Sequence, residues 1–105
     1  MTLSIGKHEI EAQIKSPMGW VKIIADLTIE SDTVFSGQAK LLGCSVDLTD
    51  CRKDGDHVSF AASPRLPFGV LHVDIEADFA SDGSISGIAN APRHKPMEIR
   101  GQLLH

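Results

Sequence analysis

The chain of 105 residues contains no tyrosine, one tryptophan and four phenylalanines. Rings so few and so scattered cannot build the stacking platform on which single-stranded nucleic acid lies. Positive charge is scarce too. Ten Lys and Arg stand against fourteen Asp and Glu, for a formal net charge of −4, and no basic run occurs. That removes the electrostatic footprint of a nucleic-acid binder. Apolar runs fall far short of the ~20 residues a membrane helix needs. The opening MTLSIGKHEI has neither the charged region nor the apolar core of a signal peptide. A soluble, cytoplasmic protein with no membrane or nucleic-acid partner is expected.

Cysteine is limited to Cys44 and Cys51. Read as members of one strand, they lie roughly 23 Å apart at about 3.3 Å per residue. Their odd separation then turns them to opposite faces. That exceeds the ~7 Å Cα limit for a disulfide, and free thiols suit a reducing compartment. No ligand set at metal-binding spacing accompanies them, and no P-loop, dinucleotide fingerprint, nucleophile elbow or CxxC occurs. No metal and no cofactor are expected.

What the sequence does contain is a repeat. At an offset of fifty residues Pro17 and Gly19 match Pro67 and Gly69, Ser31-Asp32 matches Ser81-Asp82, and Ser36-Gly37 matches Ser86-Gly87. Ala12/Ala62 and Ala39/Ala89 keep the same offset, and the aliphatic phase between these markers agrees: Val21/Leu71, Ile23/Val73 and Phe35/Ile85. One supersecondary unit used twice, over roughly 7–55 and 57–105 of a single domain, explains the pattern.

Alternation with period two runs through both halves, the mark of half-buried strands. In His8–Lys15 the even positions His8, Ile10, Ala12 and Ile14 share one face, and every odd position is polar. Trp20–Ile29 turns Val21, Ile23, Ala25, Leu27 and Ile29 inward. Phe35, Gly37, Ala39 and Leu41 follow, then Cys44, Val46 and Leu48 on a fourth strand. Asp54-Gly55-Asp56 signals a hairpin. Val58, Phe60 and Ala62, then Leu71 to Phe79, then Ile85 to Ala89, and finally Met97 to Leu103 repeat the plan. No segment is long enough for a crossover helix, so pairing is antiparallel. The expected fold is all-β: an eight-stranded antiparallel up-and-down barrel made of two similar four-strand halves, closed to remove its edges.

Most of these strands carry Ala or Gly near the middle of the apolar face, at Ala12, Ala25, Gly37/Ala39, Ala62, Gly87/Ala89 and Gly101. A barrel of eight strands either fills with side chains or holds one small ligand. Small residues at mid-height fit a cavity, and they equally fit a flattened, solid sandwich. In the first case the candidate ligand-binding residues are Ile10, Ala12, Ile23, Ala25, Phe35, Ala39, Val46, Phe60, Ala62 and Val73. His8, Met18, Trp20 and Phe68 would frame the mouth. The only inward polar candidates are His8 and Cys44, too little for acid–base chemistry, so no catalytic residue is assigned.

On the outward face His72, Asp74, Glu76 and Asp78 align along one strand. They could form an acid–base or metal cluster, although solvated strands routinely look the same. Trp20 and Ile24 are large apolar groups on that face and suggest a homodimer surface.

The succession SPMG…LTIESDTVFSG, LPFG…ADFASDGSISG and closing IRGQ resembles a group of small bacterial lipocalin-like (calycin-type) β-barrel proteins. Their repeats read roughly Thr-Pro-Met-Gly, an alternating strand, Asp-Gly-Asp, then Ser-Gly-Thr, with Gly-Thr-Arg at the end. The likeness covers nearly the whole chain. Gln38 and Ile88 after the Ser-Gly pairs, and Gln102 near the end, depart from it. The resemblance implies a lipocalin- or streptavidin-like barrel that binds an apolar small molecule such as a lipid, steroid, polyketide or flavin-like ring. Some members of the group are attached to flavin-dependent oxidoreductases. It implies no catalytic residue. The alternatives are a small barrel isomerase or cyclase that holds an apolar substrate in a reactive shape, and a structural dimerisation module with a solid core.

Overall fold

The computed structural model describes residues 5–16, 19–41, 43–66 and 69–104. Eleven strands follow one another: β1 Gly6–Ser16, β2 Gly19–Ile29, β3 Phe35–Leu41, β4 Cys44–Asp47, β5 Thr49–Asp54, β6 His57–Ala62, β7 Arg65–Leu66, β8 Gly69–Val70, β9 Val73–Phe79, β10 Ser84–Asn90 and β11 Met97–Leu103. Nine of them form one antiparallel sheet in the order β4-β3-β2-β1-β11-β10-β9-β6-β5, and β7 pairs with β8 alone. The sheet curls into a nearly closed up-and-down barrel. Among the described residues no helix is long and apolar enough to cross a membrane.

The fourth strand of each half joins the first strand of the other. β11 lies between β10 and β1, while β4 follows β3 and β5 follows β6. The expected fourth strand is therefore divided, which is why the sheet counts nine strands rather than eight. Its two pieces are the two edges of the sheet, and only Leu48 separates them in the chain. Leu48 N–H donates to Gly37 O at 3.0 Å and Lys53 N–H to Thr33 O at 2.9 Å, so this run hydrogen-bonds across the seam.

Between Thr49 and Arg52 the β5–β6 register shifts, and Asp50 adopts a left-handed φ of 52°. This bulge re-phases the strand, as bulges do. Cys51 and Lys53 now fall on the same side as Val46 and Leu48, so the two cysteines do not face opposite ways as simple alternation predicts. Both thiols are free and half-buried. Lys53 is only 4% exposed, and its Nζ donates to the Asp32 carbonyl at 3.5 Å. Its stem fills apolar space while its head exits at the β2–β3 turn, the usual compromise for lysine.

The hairpins differ between the halves. β1 and β2 pair continuously from Gly6↔Ile29 to Ser16↔Gly19. The matching pair is interrupted, because Pro64 has no N–H to give the ladder and its carbonyl instead accepts from Leu71 N–H at 3.1 Å. The strand expected from Leu71 thus begins at Val73. Gly55, with φ 60°, supplies the first central position of the two-residue β5–β6 turn, as a type II′ hairpin requires. The tips around Pro17-Met18 and Pro67-Phe68 lie outside the described residues.

Inside, alternation holds. One end of the barrel is packed solid by Leu27, Ile29, Phe35, Val58, Phe79 and Ile85, with Val58 1% exposed. Phe35 meets Phe60 edge-on at 6.1 Å between ring centres. Each such side chain stabilises the fold by about 1.5–3 kcal/mol through burial.

The glycines do not hollow the interior; they let strands approach. A Cβ on Gly37 would lie 2.5 Å from the Asp26 carbonyl oxygen and 2.8 Å from Leu27 Cδ2. One on Gly101 would lie 2.8 Å from the Glu11 oxygen, and one on Gly87 would strike Glu76 O and Ala77 Cβ. Substituting Gly87→Ala is therefore expected to cost about 1–3 kcal/mol through overpacking, although Ala in place of a strain-free Gly ordinarily stabilises by about 0.4–1 kcal/mol. Urea denaturation decides between the two signs.

An apolar cavity opening at one end of the barrel

Because strands alternate direction, the β1–β2, β3–β4, β7–β8 and β10–β11 connections gather at the end opposite the solid pack. Here the barrel is hollow. A cavity of about 300 Å³ runs from these connections down to Leu27, Val58, Phe79 and Ile85. Its walls come from Ile10, Ala12 and Ile14 of β1, Val21, Ile23 and Ala25 of β2, Ala39 and Leu41 of β3, and Val46 and Leu48 beyond it. The second half adds Phe60 and Ala62 of β6, Leu71 and Val73, Ile75 and Ala77 of β9, and Met97 and Ile99 of β11.

Nine of the ten expected binding residues line this space: Ile10, Ala12, Ile23, Ala25, Ala39, Val46, Phe60, Ala62 and Val73. Phe35 does not. It is buried at the packed end, where its ring closes the floor behind Phe60. The alternating pattern gives the face of a residue but not its height in the barrel, and Phe35 opens its strand at the wrong end.

The expected mouth fares differently. His8 shares the inward face of β1 but is paired with Leu27, toward the packed end, and does not border the cavity. Trp20 lies outside it, 43% exposed, with the Arg100 guanidinium carbon 5.1 Å from its ring centre. Met18 and Phe68 lie outside the described residues. Cys44 is half-buried and not a wall residue. Sequence reasoning missed His94, which sits in the β10–β11 loop, lines the cavity and is itself exposed. No periodicity marks a loop residue, so only its place between Pro92 and Pro96 on the returning connection could have singled it out.

Apart from His94, the Ser16 hydroxyl is the one polar side chain among the described wall residues, and it donates to Gly19 O at 2.7 Å. No carboxylate is among the described wall residues. A wall of this kind offers entering water almost no hydrogen-bond partners. Burial first, then the neighbouring Asp50 charge, pushes the Cys51 thiol pKa up, away from the thiolate form that reacts.

The outward row on β9 spreads along the strand rather than converging. His72 Nδ1 meets Ser63 Oγ at 3.1 Å and its Nε2 meets Asp74 at 3.5 Å. Asp78 instead pairs with His57 at 2.8 Å. Among the described residues no group of three or more His, Cys, Asp and Glu could hold a metal ion. Comparison of the chain with protein-family models, with curated proteins and with solved structures returned no match.

Two outcomes follow from this geometry. Replacing Ala62 by Leu adds apolar volume where the wall is hollow, so stability is expected to hold or rise by about 0.5–2 kcal/mol. A solid core would make the same change cost about 1–3 kcal/mol, and the denaturation midpoint reports which applies. The Asp78 hydrogen bond raises the His57 pKa. A raised folded-state pKa contributes stability that is full below the unfolded value of about 6.5 and vanishes as pH climbs through the folded value. Titration by NMR should show His57 above its ordinary range in the native chain and moved back in Asp78→Asn.

Proposed function

We propose that this protein binds an apolar small molecule inside the barrel. The observation that carries the reading is the cavity of about 300 Å³ with almost wholly aliphatic and aromatic walls, a size at the lower end of small-molecule sites. Binding is favoured over isomerisation or cyclisation because acid–base catalysis needs titratable groups converging on a substrate, and the described wall residues supply only His94 at the rim. The hollow interior favours this reading over the solid-core one. The turn motifs that resemble the lipocalin-like group agree with this assignment. The two free thiols fit a reducing, cytoplasmic setting.

The test uses a neutral apolar fluorophore, N-phenyl-1-naphthylamine. Saturable one-site binding in the micromolar range, worth about −8 kcal/mol, is expected, and it should be lost in the doubly filled variant Ala39→Leu/Ala62→Leu while the fold persists by circular dichroism. Binding that survives filling, or no binding to the native chain, would refute the assignment.

A further inference from the structure

The open end of the barrel is rich in positive charge. At the open end the described residues of 15–20, 40–44, 63–72 and 91–97 include Lys15, Lys40, Arg65, Arg93 and Lys95 and no Asp or Glu, and Asp74, beside His72, is the carboxylate at their border. The turns at the packed end, 30–34, 54–57 and 80–84, contain Glu30, Asp32, Asp54, Asp56 and Asp82, with Lys7 and Lys53 as the cations beside them. In a chain of net charge −4, the mouth is basic against the overall balance.

A second observation falls on the same rim. His94 N–H donates to Ala91 O at 3.2 Å, closing a four-residue turn with Pro92 and Arg93 in the middle. Arg93 has φ 64°. Pro at the first central position and positive φ at the second define a type II turn, whose second position favours Gly. A long side chain is held there at a cost of about 1 kcal/mol or more. Solubility alone gives no reason for an arginine in a glycine's place, because an exposed charge can sit on any unstrained position. The next residue is His94, the one ionisable group among the described residues that line the cavity, and Lys95 follows it.

We propose that the guest is an amphiphile with a single anionic group, its apolar part in the lumen and its head at the rim beside Arg93, His94 and Lys95. This rests on the cavity-binding reading and narrows it to a chemical class. A carboxylate there meets cations that need not be dehydrated, so the attraction persists at the surface, weakens with salt, and sets the orientation of entry.

The experiment is displacement of N-phenyl-1-naphthylamine by decanoate and by decan-1-ol, which share a tail and differ in head charge. In low salt decanoate should displace the probe at about tenfold lower concentration, the equivalent of about 1.4 kcal/mol. That ratio should fall toward one in concentrated salt and in Arg93→Gly/Lys95→Gln. Arg93→Gly alone should unfold at the same or a higher denaturant concentration than the native chain, which separates a role in binding from one in folding. Equal displacement by the two ligands, or a ratio unchanged in the double variant, would overturn the head-group inference and leave the cavity reading standing. Failure of the probe and both ligands to bind would remove the cavity reading, and this one with it.

Discussion

Closure of the sheet by one bent run of chain is the constraint from which the rest of the structure follows. An open sheet of nine strands would leave two unpaired edges, each a template for association. Here both edges belong to the same segment. β4 completes β3, Leu48 carries the ladder onto Gly37, and β5 passes to β6 after the bulge at Asp50. Without the bulge, Lys53 would face solvent and the next inward residue would be the wrong one. Without the bare backbone at Gly37, Gly87 and Gly101, the neighbouring strands could not come close enough for the sheet to curl.

Once the barrel is closed, its interior must be filled or left empty, and the side chains divide that choice by height. Ile29, Phe35, Val58 and Phe79 occupy the end that holds the β2–β3, β5–β6 and β9–β10 turns. Toward the other end Ala12, Ala25, Ala39 and Ala62 leave the centre open. In the β9–β10 turn of the packed end Asp82 accepts from Ser84 N–H and Oγ at 2.9 and 2.7 Å, and those bonds keep its carboxyl below the usual range. Order at one end and space at the other come from the same strands, because each strand changes residue size along its length.

Much of this was legible in the residues. Period two identified the strands and their inward faces, and the turn signals between them the antiparallel up-and-down order, since turn chemistry and alternation are both local. The apolar wall from Ile10 to Val73 followed from the same periodicity. What escaped depends on relations between strands. The break at Leu48 and the bulge at Asp50 are set by where the sheet must close, and no local preference of Asp50 announces a left-handed backbone. Gly37 and Ala39 look alike in sequence, yet one permits close approach while the other hollows the core. Trp20 and His8 were placed by proximity to turns or by face, but the height of each in the barrel, which decides whether it borders the cavity, comes from register.

The void itself bears on the choice between a guest and a mere gap. At about 24 cal/mol for each Å³ of enclosed unfilled core, a space of about 300 Å³ that opens at one end forgoes up to about 7 kcal/mol of packing. Whole domains are stable by only about 5–15 kcal/mol. Leucine at a few alanine positions would recover part of that loss without disturbing the alternation, since the face and the strand would be unchanged. A chain that keeps alanine there, and balances it with a dense pack of large side chains at the opposite end, is organised around its empty space. An occupant returns stability by mass action, by RT ln(1 + [L]/Kd), so the void weighs least on a protein that spends its time filled.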